Sequence, residues 1–419
     1  MTDPTCNLVT RRTFLAGLGA SVMLVACGGS QITVLSPKDR GAAPPVGSLG
    51  ESTNRVLVVV ELGGGNDGLS MVVPHGNDRY HDLRTTTRIE NPIDLDGEIG
   101  FHPNLAALAD MYLAGEVAIV EGVGIPNPDL SHFTSMDRWW TGAADSTRRA
   151  GWLGRYLDGT VGYEDPLAGI VIGPGPTPAM LGDGSFTVAI SDASGLTPNV
   201  PDWIDDVNEL MAMWRGFVPE APSAIDLSPV QRAIEASVDA RDALESALGL
   251  PTARAGRPAR TDLTEQLRIA AQLIASSVSP TVIYVHGFGD FDTHLEQVRR
   301  HGELMTALNT ALAEFFALLD DSGQRDRVTV LTASEFGRRA RENGGGTDHG
   351  TANAQLVIGS SVTGGRYGEA PSLTRLDTNS NLIHTVDFRS LYATVLDGWL
   401  ETDHTAVLDG EYEPLGFFS

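Results

Sequence analysis

Val56-Leu57-Val58-Val59-Val60 runs without a polar break into Glu61-Leu62-Gly63-Gly64-Gly65-Asn66-Asp67-Gly68. Five consecutive apolar, mostly β-branched residues leave no solvent side, so the run predicts a strand buried on both faces. Buried strands of this kind belong to parallel sheets covered by helices. Similar short runs recur at 117–120, 170–172, 282–285, 328–331 and 356–358. Helical periods lie between several of them. Leu304, Leu308, Leu312, Phe315, Phe316 and Leu319 form one apolar stripe, Leu267, Ile269, Ala270, Leu273 and Ile274 a second, and 388–400 a third. The pattern predicts an α/β fold: a mostly parallel central sheet with helices on both faces. Residues 200–265 are polar, helical in period and free of strand runs, and are expected as a helical insertion.

The N-terminus is of another kind. Thr10-Arg11-Arg12-Thr13-Phe14-Leu15 precedes an apolar, small-residue run from Ala16 to Ala26. That run is too short to span a hydrocarbon core, which takes about 20 residues. It suits a signal peptide instead. The pair Arg11 and Arg12 followed by x-Phe-Leu resembles a twin-arginine signal. Leu24-Val25-Ala26-Cys27 resembles a lipobox, with Cys27 as the lipidated residue. Residues 27–54, rich in Gly, Ser and Pro, are expected as a flexible tether, and the folded domain is expected over 55–419. The implied partners are the twin-arginine translocation machinery and, through the lipid, a membrane; the implied location is the cell envelope.

The chain of 419 residues carries a formal net charge of −25. Such acidity excludes nucleic-acid binding, which needs clustered positive charge. Its two cysteines are Cys6 and Cys27. The first goes with the signal and the second with the lipid, so neither a disulfide nor a cysteine-type zinc site is expected. The spacing of Gly63, Gly64, Gly65 and Gly68 does not match the dinucleotide fingerprint. With no redox cysteine either, a redox enzyme is not expected.

In an open α/β sheet, ligands bind beyond the carboxyl ends of the strands. Polar residues gather there. Asn66 and Asp67 follow the first strand. Ser131 stands at a predicted helix start in Asp129-Leu130-Ser131-His132-Phe133, where a hydroxyl is suited either to cap the helix or to attack a bound anion. His132 is adjacent. Phe291-Asp292-Thr293-His294 follows the run at 282–285. Ser334-Glu335-Phe336-Gly337-Arg338 follows the run at 328–331. Thr347-Asp348-His349-Gly350 precedes the run at 356–358. Asp67, Asp292, His294, Glu335 and His349 are the candidate metal ligands, Ser131 and His132 the candidate catalytic pair, and Asn66, Arg338 and Asp348 further site candidates. Oxygen donors with a few imidazoles suit a divalent ion, Mg²⁺, Mn²⁺, Ca²⁺ or Zn²⁺.

Gly-Gly-Asn-Asp-Gly, Ser-His-Phe, Asp-Thr-His, Ser-Glu-Phe-Gly-Arg and Thr-Asp-His-Gly, in this order, resemble the bacterial "domain of unknown function 1501" family. The family is grouped with the alkaline phosphatase and sulfatase superfamily. The resemblance implies an alkaline-phosphatase-like sandwich with a metal-dependent site at the sheet's carboxyl edge. It also implies that Asp67 is the first-strand metal ligand and Ser131 the nucleophile. Asp292 and His294 would ligate a second metal, with Ser334-Glu335 and His349 completing the set. Two departures point away from a two-zinc centre, to one hard cation or to a site that binds without turnover. Asp292 and His294 lie closer in sequence than the pattern has them, and Ser334-Glu335 offers one carboxylate where the pattern has a carboxylate and an imidazole. The expected function is hydrolysis of phosphate or sulfate esters; the alternative is a non-catalytic envelope lipoprotein that uses the fold for binding or assembly.

Overall fold

The computed structural model describes residues 33–35, 47, 49, 54–143, 150–162, 164–190, 239–240, 242–244, 246–248 and 262–418. Arg11, Arg12 and Cys27 lie outside the described residues, as does most of the segment expected as an insertion; its described pieces between 239 and 248 are helical.

The main sheet contains β1 (Thr33–Leu35), β2 (Val56–Glu61), β3 (Val117–Gly124), β4 (Gly169–Ile172) and β5 (Thr187–Ile190). It continues with β6 (Val282–Val285), β7 (Val328–Ala333), β8 (Asn353–Ile358), β9 (Gly365–Tyr367) and β10 (Val386–Asp387). Their order across the sheet is β1-β5-β4-β6-β2-β7-β8-β3-β9, with β10 also on β3. Pairing is parallel except at the β1 edge and on both sides of β8. The fold is therefore α/β with a mixed, mostly parallel sheet, as the runs predicted. Within the stretch expected as a tether, Thr33–Leu35 pairs with β5, Thr33 opposite Ala189, so that part of it belongs to the sheet.

The helices are α1 (Gly68–Met71), α2 (Asp78–Leu83), α3 (Ala106–Leu113), α4 (His132–Thr141) and α5 (Trp152–Thr160). After them come α6 (Leu263–Ala275), α7 (Gln297–Asp321), α8 (Phe388–Gly398) and α9 (His404–Leu408). β2 shows why the sheet has helices on both sides. Alternate residues of a strand point to opposite faces. Val56, Val58 and Val60 enter one core with Leu267 and Ile274 of α6 and Leu308, Leu312 and Phe315 of α7. Leu57 and Val59 enter the other with Leu153 and Leu157 of α5 and Leu391 and Val395 of α8. All are essentially fully buried, and each such side chain stabilises by about 1.5–3 kcal/mol. One polar residue midway along β2 would spoil one of the two cores.

The topology also brings the polar loops together. β2, β6 and β7 are mutually parallel, so their carboxyl ends share an edge. β8 runs antiparallel to β7 and therefore starts at that edge. β3 is antiparallel to β8 and ends there. Among the described residues, no helix is long and apolar enough to cross a membrane.

Candidate metal centre

Four loops form the centre, and isolated bridges join them. Gly63 pairs with Gly289, and Arg338 with His349. The close approach depends on glycine. At Gly64 (φ +114°) a Cβ would lie 2.7 Å from the backbone nitrogen of Asp292. At Gly65 (φ +76°) it would lie 2.3 Å from the Phe336 ring. That ring packs under the imidazoles of His132 and His349, at centroid distances of 4.9 and 4.8 Å. The glycine run of the opening motif thus lets a strand-end loop settle against the floor of the centre.

His132, Asp292 and His349 each present a ligand atom, and these three atoms lie within 4.8 Å of one another. The hydrogen bonds fix which nitrogen faces inward. His349 Nδ1 lies 3.0 Å from the Leu130 carbonyl, which can only accept. His132 Nδ1 lies 2.9 Å from Glu335 Oε1. Both rings therefore carry their proton on Nδ1 when neutral and turn the Nε2 lone pair inward. The two Nε2 atoms are 3.1 Å apart. Asp292 Oδ1 is 3.1 Å from His349 Nε2, and Oδ2 is 3.8 Å from His132 Nε2. Converging lone pairs and a carboxylate call for a proton or a cation between them. Imidazoles held from behind by a carboxylate and a carbonyl are also how metal-binding histidines are oriented. The residues present thus fit one divalent ion. The side chains of His132, Asp292 and His349 remain 33%, 42% and 24% exposed, which leaves the centre open to a ligand from solvent.

The electrostatics agree. Burial works to raise the Asp292 carboxyl, but the hydrogen bond and charge of Arg338, at 2.6 Å, hold it down at about 2. The hydrogen bond to Glu335 raises His132 above its ordinary value, against the effect of burial. Burial lowers His349, against its bonds to Leu130 and Asp292. Leu130 holds its carbonyl toward His349 from a left-handed backbone (φ +59°), a conformation costing about 1–2 kcal/mol for an L-residue.

The other candidates take different places. Asp67 is fully buried and does not face the centre. Its two oxygens accept from Arg84, at 2.6 and 3.1 Å, and Oδ2 also accepts from Ser70 at 2.8 Å and from Gln297. The structure places Asp67, expected as a ligand, in a buried ion pair with Arg84. Glu335 likewise stands behind the centre, its Oε1 accepting from the Gly64 backbone N–H (2.8 Å) as well as from His132. Its Oε2 is buried with no partner among the described residues. His132, expected as catalytic, stands among the ligand candidates. His294 lies beside them, Nε2 at 3.0 Å from Asp292 Oδ1 and Nδ1 at 3.3 Å from Asp348. Asn66 is buried and accepts from His301 at 2.9 Å, on the α7 side. Ser131 is the N-cap residue of α4, yet its hydroxyl makes no capping bond. It sits between Leu130, which holds His349, and His132.

Sequence reading missed Arg84, Gln297 and the carbonyl of Leu130. No local pattern marks any of them. It also passed over Glu61, whose Oε2 accepts from Trp140 (3.0 Å) and Tyr284 (2.7 Å) and whose pKa burial raises. Its place as the last residue of the buried strand was the available signal.

Residues 99–412 match the family described as "Protein of unknown function (DUF1501)". The chain belongs to the DUF1501 family. No curated protein matches it. Among solved structures, this DUF1501 chain is similar to a protein in the alkaline phosphatase superfamily from Vibrio parahaemolyticus, at 9% identity and a TM-score of 0.38, over 90% of this chain and 71% of that one. It is also similar to the C-terminal periplasmic domain of EcEptC from Escherichia coli in complex with Zn, at 10% identity and a TM-score of 0.38, over 86% and 87% of the two chains. A third is the phosphonate monoester hydrolase of Agrobacterium radiobacter, at 12% identity and a TM-score of 0.33, over 87% and 79%. These likenesses are loose.

Proposed function

We propose that this chain is a metal-dependent hydrolase of phosphate or sulfate esters at the bacterial cell envelope. The observation that carries the reading is the convergence of two lone-pair-bearing Nε2 atoms and the Asp292 carboxylate in one solvent-accessible cluster. His132, His349 and Asp292 would hold the ion. When bound, a divalent cation draws electron density from the phosphoryl or sulfuryl group and so favours attack on it. Ser131 is the nucleophile in this reading. Its oxygen bonds to phosphorus or sulfur, the alcohol leaves with the serine proton, and water then releases the inorganic anion and restores the hydroxyl. Its freedom from capping and its place between Leu130 and His132 support that role. The twin-arginine-like segment around Arg11 and Arg12 and the lipobox-like Cys27 support export through the twin-arginine machinery and a lipid anchor.

The test combines metal analysis of the purified chain with a screen of aryl phosphates and aryl sulfates. Bound metal, with turnover lost on Ser131→Ala and on metal removal, is the expected result. A folded chain with neither metal nor turnover would refute it and favour the non-catalytic envelope role. Replacing Arg11 and Arg12 with Lys should stop export, and Cys27→Ser should release the protein from the membrane fraction.

A further inference from the structure

The centre offers three imidazoles, and they are not equivalent. Arg338 makes the difference. Its side chain is fully buried. Nε donates to the Gly65 carbonyl at 2.7 Å. Nη1 donates to Thr347 at 3.1 Å. Nη2 reaches the Phe291 carbonyl at 3.1 Å, the Gly64 carbonyl and Asp292 Oδ1 at 2.6 Å. Backbone carbonyls from three loops therefore fix the guanidinium. Nη1 also faces His294 Nε2 at 3.5 Å. A metal bound to that nitrogen would sit about 2.0–2.1 Å from it, where the guanidinium already places positive charge. In either tautomer of His294, its Nε2 is engaged by protein groups: as a lone pair it accepts from Arg338, and as N–H it donates to Asp292. Asp292 is divided in the same way. Oδ1 meets Arg338, His294 and His349, whereas no hydrogen bond reaches Oδ2 from the described residues.

We propose that the centre binds a single first-row transition-metal cation, such as Zn²⁺ or Mn²⁺, through His132 Nε2, His349 Nε2 and Asp292 Oδ2, and that the buried guanidinium of Arg338 occupies the place of a second cation. The inference rests on the metal-dependent reading above and adds the metal class, the role of Arg338 and the exclusion of His294. Two imidazoles and one carboxylate favour such metals over Mg²⁺ and Ca²⁺, which prefer oxygen throughout. Arg338 supplies charge rather than a substrate-binding arm, because its N–H groups are already directed at protein acceptors. His294 is a neighbour of the ion and not a ligand.

Isothermal titration of ZnCl₂ and, separately, MgCl₂ into the chelator-stripped chain tests this without reference to activity. One Zn²⁺ per chain is expected, with Mg²⁺ far weaker. His132→Ala and His349→Ala should each weaken zinc more than ~100-fold, and His294→Ala by no more than ~10–100-fold, the range of an outer-shell change. Circular dichroism checks that each variant is folded. Two zinc ions per chain, or loss of zinc on His294→Ala, would overturn the single-ion assignment and leave metal-dependent hydrolysis standing. No zinc binding by the folded wild-type chain would remove both.

Discussion

Asp67→Asn separates a structural carboxylate from a ligand. Asp67 is fully buried against Arg84. Burial raises its pKa, but the charge and hydrogen bonds of Arg84 prevail and bring it from 3.8 to about 2. At about 1.4 kcal/mol per pKa unit, the folded state gains about 2 kcal/mol from this ionisation. Because the folded pKa is the lower one, that stability is present above pH ~4 and is lost as pH falls towards 2. Removing the charge costs more than the linkage alone, since Arg84 is left buried and unpaired, and ~3–5 kcal/mol is expected at pH 7. The assay is urea unfolding by circular dichroism at pH 7 and again between pH 4 and 2, with zinc content measured on the folded fraction. The variant should be destabilised, should lose about 2 kcal/mol less than the wild type over that window because Asp67's share is gone while Asp292 and Glu342 still titrate there, and should keep its zinc. A change below ~0.5 kcal/mol together with loss of zinc would make Asp67 a ligand and refute the reasoning.

Other outcomes follow from the same geometry. Glu335→Gln keeps the shape behind His132 but removes the charge that orients its ring, so zinc affinity should fall ~10–100-fold, read by competition with a chromophoric chelator. Gly64→Ala puts a methyl group against the Asp292 backbone; it should weaken zinc binding or prevent folding, and unchanged affinity in a folded variant would show that the loops can part. Zinc affinity should fall with pH through the histidine range, with His132, whose pKa is raised, competing for protons before His349, whose pKa is lowered; titrations at pH 8, 7 and 6 check the slope. The group Asp397, Asp403 and His404 should bind no metal, because His404 Nδ1 donates to Asp397 at 2.8 Å and Nε2 accepts the Tyr412 N–H at 3.2 Å. His404→Ala should leave zinc content unchanged and cost ~1–3 kcal/mol of stability.

The sheet was legible because its strands are buried on both faces. Continuous apolar runs predicted 56–60, 282–285 and 328–331, and the strands Val56–Glu61, Val282–Val285 and Val328–Ala333 contain them. Thr187–Ile190 and Gly365–Tyr367 were not predicted: they are short, and neither forms a long apolar run. The site loops were legible as well, because glycines and acidic or imidazole residues cluster after strands. Which atoms meet was not. His132 and Glu335 are joined over 203 positions, and His349 and Leu130 over 219. The second contact uses a backbone carbonyl, which no residue type announces. Ser131 was legible as a helix start, but only the structure shows that its hydroxyl does not cap.

Asp67 and Asp292 carry the same sequence signal: each is an acid in a loop beyond a buried strand. Their roles diverge because of the arginine that meets each one. Arg84 grips Asp67 in a two-pronged contact that engages both oxygens, and Ser70 and Gln297 add to it. A cation could reach Asp67 only by displacing a buried guanidinium. Arg338 meets Asp292 at one oxygen and leaves the other toward His132. The carboxylate is thereby kept ionised while retaining a free ligand atom. The number of carboxylate oxygens that arginine engages separates the brace from the proposed ligand, and that number is set by side chains and loops remote in sequence from both acids.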